Sequence, residues 1–227
     1  MFPFITDEHR MIEQAARDFG RNSIAPIAAE HDETGDFPLG TIREMGQLGF
    51  MGIEVPEEYG GAGMDTLAYV LAMVEISKAD ASHGTIMSVN NSLYAHGLLK
   101  FGTEAQKRRW LPKCVTGETI TAIAMTEPGT GSDLAAIRTT AVRDGDHYVL
   151  NGQKTFISNG LLCNLVVVAA KTDVQAQPPY TGISLIVVEE GTPGFEKGRK
   201  LDKVGLHSQD TAEMAFVDCR VPAENLL

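Results

Sequence analysis

Cysteine is scarce in this 227-residue chain, and the three present, Cys114, Cys163 and Cys219, lie far apart with no Cys-x-x-Cys pair. An odd, dispersed set excludes a disulfide framework and a zinc site and leaves buried, reduced thiols as the expectation. Positive charge is also in short supply: 19 Lys and Arg against 30 Asp and Glu give a net charge of −11. Nucleic-acid binding needs clustered cations to neutralise phosphates, so such a partner is not expected. Lys107-Arg108-Arg109 is the one basic cluster; it reads as a solvated helix face, with a local anchor for a nucleotide phosphate as the alternative. No apolar run approaches the ~20 residues of a membrane-spanning helix. The six histidines are scattered without metal-ligand spacing, and no metal is expected. Asp7, Glu8 and Glu13 interrupt an amino terminus that has neither the form of a signal peptide nor that of an Arg-rich transit sequence; a cytoplasmic address is expected.

With 43% hydrophobic and 22% charged residues, the composition is that of a soluble globular protein. The length suits two domains of ordinary size, and the hydrophobic period changes near residue 120. Before that point it is helical. Thr6 can cap a helix with Met11, Ile12, Ala15, Ala16 and Phe19 on one face, limited at its far end by Pro26. Pro38 precedes Ile42, Met45 and Leu48, with Gly49 as a stop, and Asp65 can cap a third helix through Leu67, Val70, Leu71 and Val74. Further helices are expected from Thr85 to Lys100 and from Glu104 to Lys113.

After residue 120 the period shortens to two. Strands are predicted at Thr139 to Arg143, His147 to Leu150, Lys154 to Ile157, Leu165 to Ala170, Ile183 to Val188 and Ala212 to Val217. Asp144-Gly145 and Asn151-Gly152 are hairpin signals. The expected fold class is α+β: a helical domain over 1–119, then a mainly antiparallel β-barrel or sandwich over 120–227, closed because a lone sheet leaves edges uncovered. The loop from Gln175 to Thr181 is the expected mobile excursion.

The stretch Ile123-Ala-Met-Thr126-Glu-Pro-Gly129-Thr-Gly131-Ser132-Asp133 and the following Asn151-Gly-Gln-Lys-Thr-Phe156-Ile157-Ser158-Asn159-Gly160 carry the chemistry. A short apolar strand enters a loop whose glycines and hydroxyls free backbone N–H groups to face a ligand such as a diphosphate or polar ring edge. Gly129-x-Gly131 lacks a third glycine and precedes no β-α-β unit, so a Rossmann reading fails. There is no Walker loop. Ser132 has no nucleophile-elbow context. Glu127 and Asp133 read as structural, Glu127 bracing the loop and Asp133 capping Leu134 to Ala136.

These two elements resemble the signature of the acyl-CoA dehydrogenase family, and the resemblance extends to Gly60-Gly-Ala-Gly63, Ser88-Val-Asn-Asn-Ser-Leu93, Phe101-Gly-Thr-Glu-Ala-Gln-Lys107 and Lys203-Val-Gly-Leu-His-Ser-Gln-Asp-Thr211. It implies FAD as cofactor, held by Ile123, Ala124, Met125, Thr126, Gly131, Ser132, Phe156, Ile157 and Ser158. Thr126 would bond the pyrimidine side of the flavin, Ser132 would lie near the diphosphate and the pantetheine chain of the substrate, Phe156 would pack on the isoalloxazine and Ser158 would offer its hydroxyl near N5. Phe156 and Ser158 stand where many relatives carry Trp and Thr. The implied reaction is α,β-dehydrogenation of an acyl-CoA thioester to the trans-2-enoyl-CoA, as in fatty acid β-oxidation or branched-chain amino acid catabolism. Electrons would pass to an electron-transfer flavoprotein, and the oligomer would be a homotetramer. Met87-Ser-Val-Asn-Asn-Ser-Leu-Tyr94 is similar to the helix lining the cavity of short-chain and butyryl-type members. The family's third, helical domain supplies its catalytic glutamate, so no catalytic residue is assigned in this chain, which is expected to be a fragment. A noncatalytic flavin or acyl-CoA module, and an oxidase or monooxygenase on the same fold, are the alternatives.

Overall fold

A computed structural model describes residues 4–227, which form two compact units. One comprises the described residues up to Lys100 together with Lys107–Thr119 and Asp202–Gln209; the other comprises Phe101–Gln106, Ile120–Leu201 and Asp210–Leu227.

The first unit is helical, with α1 (Asp7–Phe19), α2 (Ala25–Thr34), α3 (Leu39–Gln47), α4 (Thr66–Ala79), α5 (Ala81–Ser88), and most of α6 (His96–Phe101) and α7 (Glu104–Val115), whose residues Phe101 and Glu104 to Gln106 belong to the second unit. Its helix starts are set locally. Thr6 accepts from the His9 N–H while the His9 ring accepts the Thr6 N–H at 3.1 Å, a reciprocal cap. Asp65 accepts from the Ala68 N–H at 2.9 Å and begins α4, and Asp80 accepts from Ser82 at 3.0 Å and begins α5. Pro26 does not close the first helical stretch. The chain passes from α1 through a wide helical turn, Gly20–Ile24, directly into α2, and Pro26 sits just after that turn, where Ala25 already bonds five residues back to the Gly20 carbonyl and the regular four-residue pattern is interrupted. Gly49 does mark the stop after α3, in the left-handed region at φ +82°. Ile42, Met45, Phe50, Ile53, Ile76 and Ile86 are fully buried in this unit. Asn91 donates to the Phe50 and Met87 carbonyls, each at 3.0 Å, and accepts from the Ile53 N–H, so a polar side chain at the core is satisfied on both ends.

The second unit is a curled, mainly antiparallel sheet built from β1 (Thr121–Ala124), β2 (Thr140–Asp144), β3 (His147–Ser158), β4 (Leu165–Lys171), β5 (Ile183–Glu189), β6 (Phe195–Lys200) and β7 (Thr211–Pro222). Its order is β1-β4-β2-β3-β7-β6, with β5 also on β4. The β1–β4 pair is parallel, Thr121 opposite Leu165. Strand β4 is buried along nearly its whole length, which is why Leu-Val-Val-Val-Ala-Ala reads as a continuous apolar run instead of an alternation. The β2–β3 hairpin turns at Gly145, φ +61°, with Asp144 opposite His147, as its Asp-Gly dipeptide foretells.

Asn151-Gly152, by contrast, makes no hairpin. Strand β3 continues through it, paired to β7 from His147 to Ser158, with a register shift at this point, between Leu150 and Gly152. The glycine is there for proximity: a Cβ at Gly152 would come within 2.3 Å of the Thr139 hydroxyl and 2.7 Å of its Cα. Strand β6, Phe-Glu-Lys-Gly-Arg-Lys, has little apolar alternation to announce it; it is an edge strand, whose charges suit that position. The three cysteines are buried and unlinked, and burial raises their thiols, Cys219 to about 11 and Cys163 to about 12.

Candidate functional site

The strand-loop element and the end of β3 meet within the sheet unit. Thr155 donates its N–H to the Thr126 carbonyl at 3.0 Å, which sets the loop after β1 beside the Thr155-Phe156 step of β3. Beyond Thr126 the loop is closed by a two-way bridge, Glu127 N–H to Thr130 O at 2.9 Å and Thr130 N–H to Glu127 O at 3.0 Å. Among the described residues, the N–H groups of Met125, Thr126, Gly131 and Ser132 have no acceptor within the chain. Four such donors in one short stretch form a surface suited to an anion or the polar edge of a ring. A Cβ at Gly129 or Gly131 would meet nothing within 4 Å. The chain's own packing therefore does not demand glycine at these positions and leaves open space beside the loop.

Phe156 stands at a break in the pairing. Lys154 faces Met214 and Ile157 faces Ala212, so β3 carries one residue more than β7 between those points. That bulge breaks the inside-outside alternation: Lys154 is 1% exposed and Ile157 2%, while Phe156 is 67% exposed with φ +58°. A bulky side chain in the left-handed region is strained, and bulges re-aim side chains near functional sites. The ring face of Phe156 is thereby presented outward. Ser158 is half-buried at the end of the same strand, and Asn159, at φ +61°, donates to the Thr121 carbonyl at 3.1 Å, tying that end to β1.

The sequence-derived site residues thus fall into two groups. Met125, Thr126, Gly131, Ser132, Phe156 and Ser158 retain side-chain or backbone exposure on the loop and bulge. Ala124 and Ile157 are in the apolar core at 0% and 2% exposure, so a ligand would meet them only through backbone, and Ile123 is half-buried in β1. The donor set and the exposed aromatic fit a flavin: amides and a hydroxyl for the polar ring edge, an unblocked glycine loop for a diphosphate, and an aromatic face for the ring system.

Lys154 was not legible as part of this site. Its ammonium is buried, donating to the Met125 carbonyl at 3.0 Å and to the Glu127 carboxylate at 2.9 Å. Glu127 accepts in addition from the backbone N–H of Arg138 at 2.6 Å and of Thr139 at 2.9 Å, as its reading as a brace requires. Burial pushes the Glu127 carboxyl up, but its polar surroundings at Thr139, Arg138 and Lys154 outweigh it and hold the group below its ordinary value. Burial lowers the Lys154 ammonium, and Glu127 opposes that shift. Asp133 behaves otherwise than expected. It precedes the short turn Leu134–Ala136, yet its side chain makes no capping bond; the Asp133 carbonyl accepts the Ala136 N–H instead. Strict alternation along β3 would place Lys154 on the face of Phe156, so only the bulge reveals that the lysine points inward.

Comparison with known proteins gives one consistent result. Residues 6–118 match the family described as acyl-CoA dehydrogenase, N-terminal domain, and residues 122–219 match acyl-CoA dehydrogenase, middle domain. The short-chain specific acyl-CoA dehydrogenase of Mus musculus is 46% identical over 98% of this chain and 54% of its own length. An acyl-CoA dehydrogenase from Geobacillus kaustophilus superposes with a TM-score of 0.95 at 52% identity, over 99% of this chain and 59% of its own. A glutaryl-CoA dehydrogenase from Mycobacterium smegmatis, solved in complex with FADH2, gives a TM-score of 0.91 at 32% identity over 97% of this chain and 55% of its own. The chain spans about half the length of the curated relatives it matches.

Proposed function

The chain belongs to the acyl-CoA dehydrogenase family, and from that premise we propose that it forms the flavin and thioester cradle of an FAD-dependent enzyme that dehydrogenates acyl-CoA esters between Cα and Cβ. The observation that carries the reading is the set of unpaired amides at Met125, Thr126, Gly131 and Ser132 beside the exposed Phe156. When bound, FAD supplies a hydride acceptor for the β-hydrogen. The chain's own residues bind and orient. Thr126 and its amide take the polar ring edge, Phe156 covers the isoalloxazine, Ser158 donates a hydroxyl near N5, and the Gly131-Ser132 amides take the diphosphate with Ser132 beside the pantetheine arm.

The thioester carbonyl must be polarised for α-proton removal, and preorganised donors do this most effectively where water is excluded. Glu127 is not a base here: its carboxylate is spent on two amides and Lys154. We place the base in the part of the relatives' length that this chain does not span. A short acyl group is the favoured substrate, because the mouse relative is named as short-chain specific and Met87 to Tyr94 carries the similar helix. An electron-transfer flavoprotein is the favoured acceptor, and a homotetramer the favoured assembly.

The test is anaerobic addition of butyryl-CoA to the FAD-loaded protein, extended to the relatives' full length. Bleaching of flavin absorbance, with reoxidation by an electron-transfer flavoprotein faster than by oxygen, is the expected result. An oxygen-driven turnover would favour an oxidase, and FAD retention with no bleaching by any acyl-CoA would leave only a binding module.

A further inference from the structure

Resting on the flavin reading above, we infer that the buried Lys154–Glu127 pair is a positioning device that aims the Thr126 amide at the flavin. A buried ion pair contributes little net stability compared with apolar residues of the same volume, so its presence at 0% and 6% side-chain exposure calls for another reason. The pair grips the loop on both sides of Thr126. The Lys154 ammonium holds the Met125 carbonyl at 3.0 Å, and the Glu127 carboxylate holds the amides of Arg138 and Thr139.

The peptide geometry turns this grip into an aim. In a planar trans peptide the C=O of one residue and the N–H of the next point in opposite directions. Tying the Met125 carbonyl inward to Lys154 therefore turns the Thr126 N–H outward. The next peptide is fixed in the same manner, since the Thr126 carbonyl accepts the Thr155 N–H at 3.0 Å, one residue along from Lys154. The bulge that exposes Phe156 also turns Lys154 inward, so one local irregularity of β3 sets both the aromatic face and the anchor of the amide opposite it. Lys154 and Glu127 contact no ligand in this scheme; they act through Thr126.

The decisive variant combines Lys154→Met with Glu127→Gln, which removes the tie to Met125 without leaving a lone buried charge. It is expected to melt with the parent chain, while the Thr155 amide exchanges with solvent at least ~10-fold faster and FAD binding weakens by at least ~10-fold, about 1.4 kcal/mol. The absorption band of the bound flavin should shift, a signature that a merely structural role would not produce. Parent-like FAD affinity and spectrum in this variant would overturn the inference alone. Should the double variant not fold, Lys154→Arg keeps the charge beside Glu127 but not the single-point contact to Met125; weakened FAD binding supports the inference and unchanged binding overturns it. A parent chain that takes no FAD at all would instead overturn the proposed function, and this inference with it.

Discussion

The two units differ in how the contacts that mark out their elements are spaced along the chain. In the helical unit the element starts are held by side chains two or three residues away: Thr6 with His9, Asp65 with Ala68, Asp80 with Ser82. In the sheet unit the decisive polar contacts are long-range. Asn159 reaches the Thr121 carbonyl, Asn225 the Val187 carbonyl at 2.8 Å, and Gln106 the Glu224 and Leu226 carbonyls at 2.7 and 2.8 Å. The candidate flavin loop belongs to the second kind. Its shape is dictated by Lys154 and by the amides of Arg138 and Thr139, eleven and twelve residues beyond Glu127, so local changes in the helical unit should be mild and comparable changes in the sheet unit severe.

The largest effect is expected at the ion pair. Lys154→Met alone leaves the Glu127 carboxylate buried without its cation and should lower stability by about 3–5 kcal/mol, measured by denaturant unfolding; a loss under 1 kcal/mol would show the pair is not a keystone of this unit. The same carboxylate gives the parent a pH signature. Because Glu127 is held below its ordinary value, its contribution is fully present above the unfolded value of about 4.3 and is lost as pH falls through the lower folded value. Acid unfolding of the parent should show this component and Glu127→Gln should lack it.

Next comes Gly152→Val, which drives a side chain into Thr139 and should cost about 1–3 kcal/mol by overpacking. A hairpin at this point would have tolerated the change far better in space, so the outcome also tests the continuity of β3. In the helical unit, Asp65→Ala removes the cap on Ala68 and the 2.9 Å contact to the His9 ring and should cost only about 1–2 kcal/mol. The smallest change carries the opposite sign. Phe156→Gly relieves a left-handed strain of about 1–2 kcal/mol against a glycine entropy cost of about 0.5–1 kcal/mol. It should raise the denaturant midpoint slightly while weakening FAD binding. A lower midpoint with unchanged FAD binding would mean that Phe156 is placed by packing and not held for a ligand.

This contrast also explains what was legible in the residues. Helix starts at Thr6 and Asp65, the stop at Gly49 and the hairpin at Asp144-Gly145 were readable because their causes are local. The loop's glycines and free amides were readable for the same reason. Pro26 was misjudged because a proline that ends one helix and one that begins the next look alike when the helices abut. Asn151-Gly152 was misjudged because glycine serves both tight turns and close approach, and only the position of Thr139 decides between them. Strand β6 lacked an apolar alternation, and Lys154 lacked any sign of its inward direction because a bulge sets it. Gly152 and Lys154 depend on a partner distant in sequence or on an irregularity of pairing.

The central claim is that the loop after β1 presents its amides to a flavin beside Phe156, and titration of FAD into the isotopically labelled chain, followed by amide resonances, tests it directly. The account expects the largest shifts at Met125, Thr126, Gly131 and Ser132, accompanied by quenching of flavin fluorescence. Shifts that leave these four amides unmoved, or no saturable binding of FAD, would contradict it.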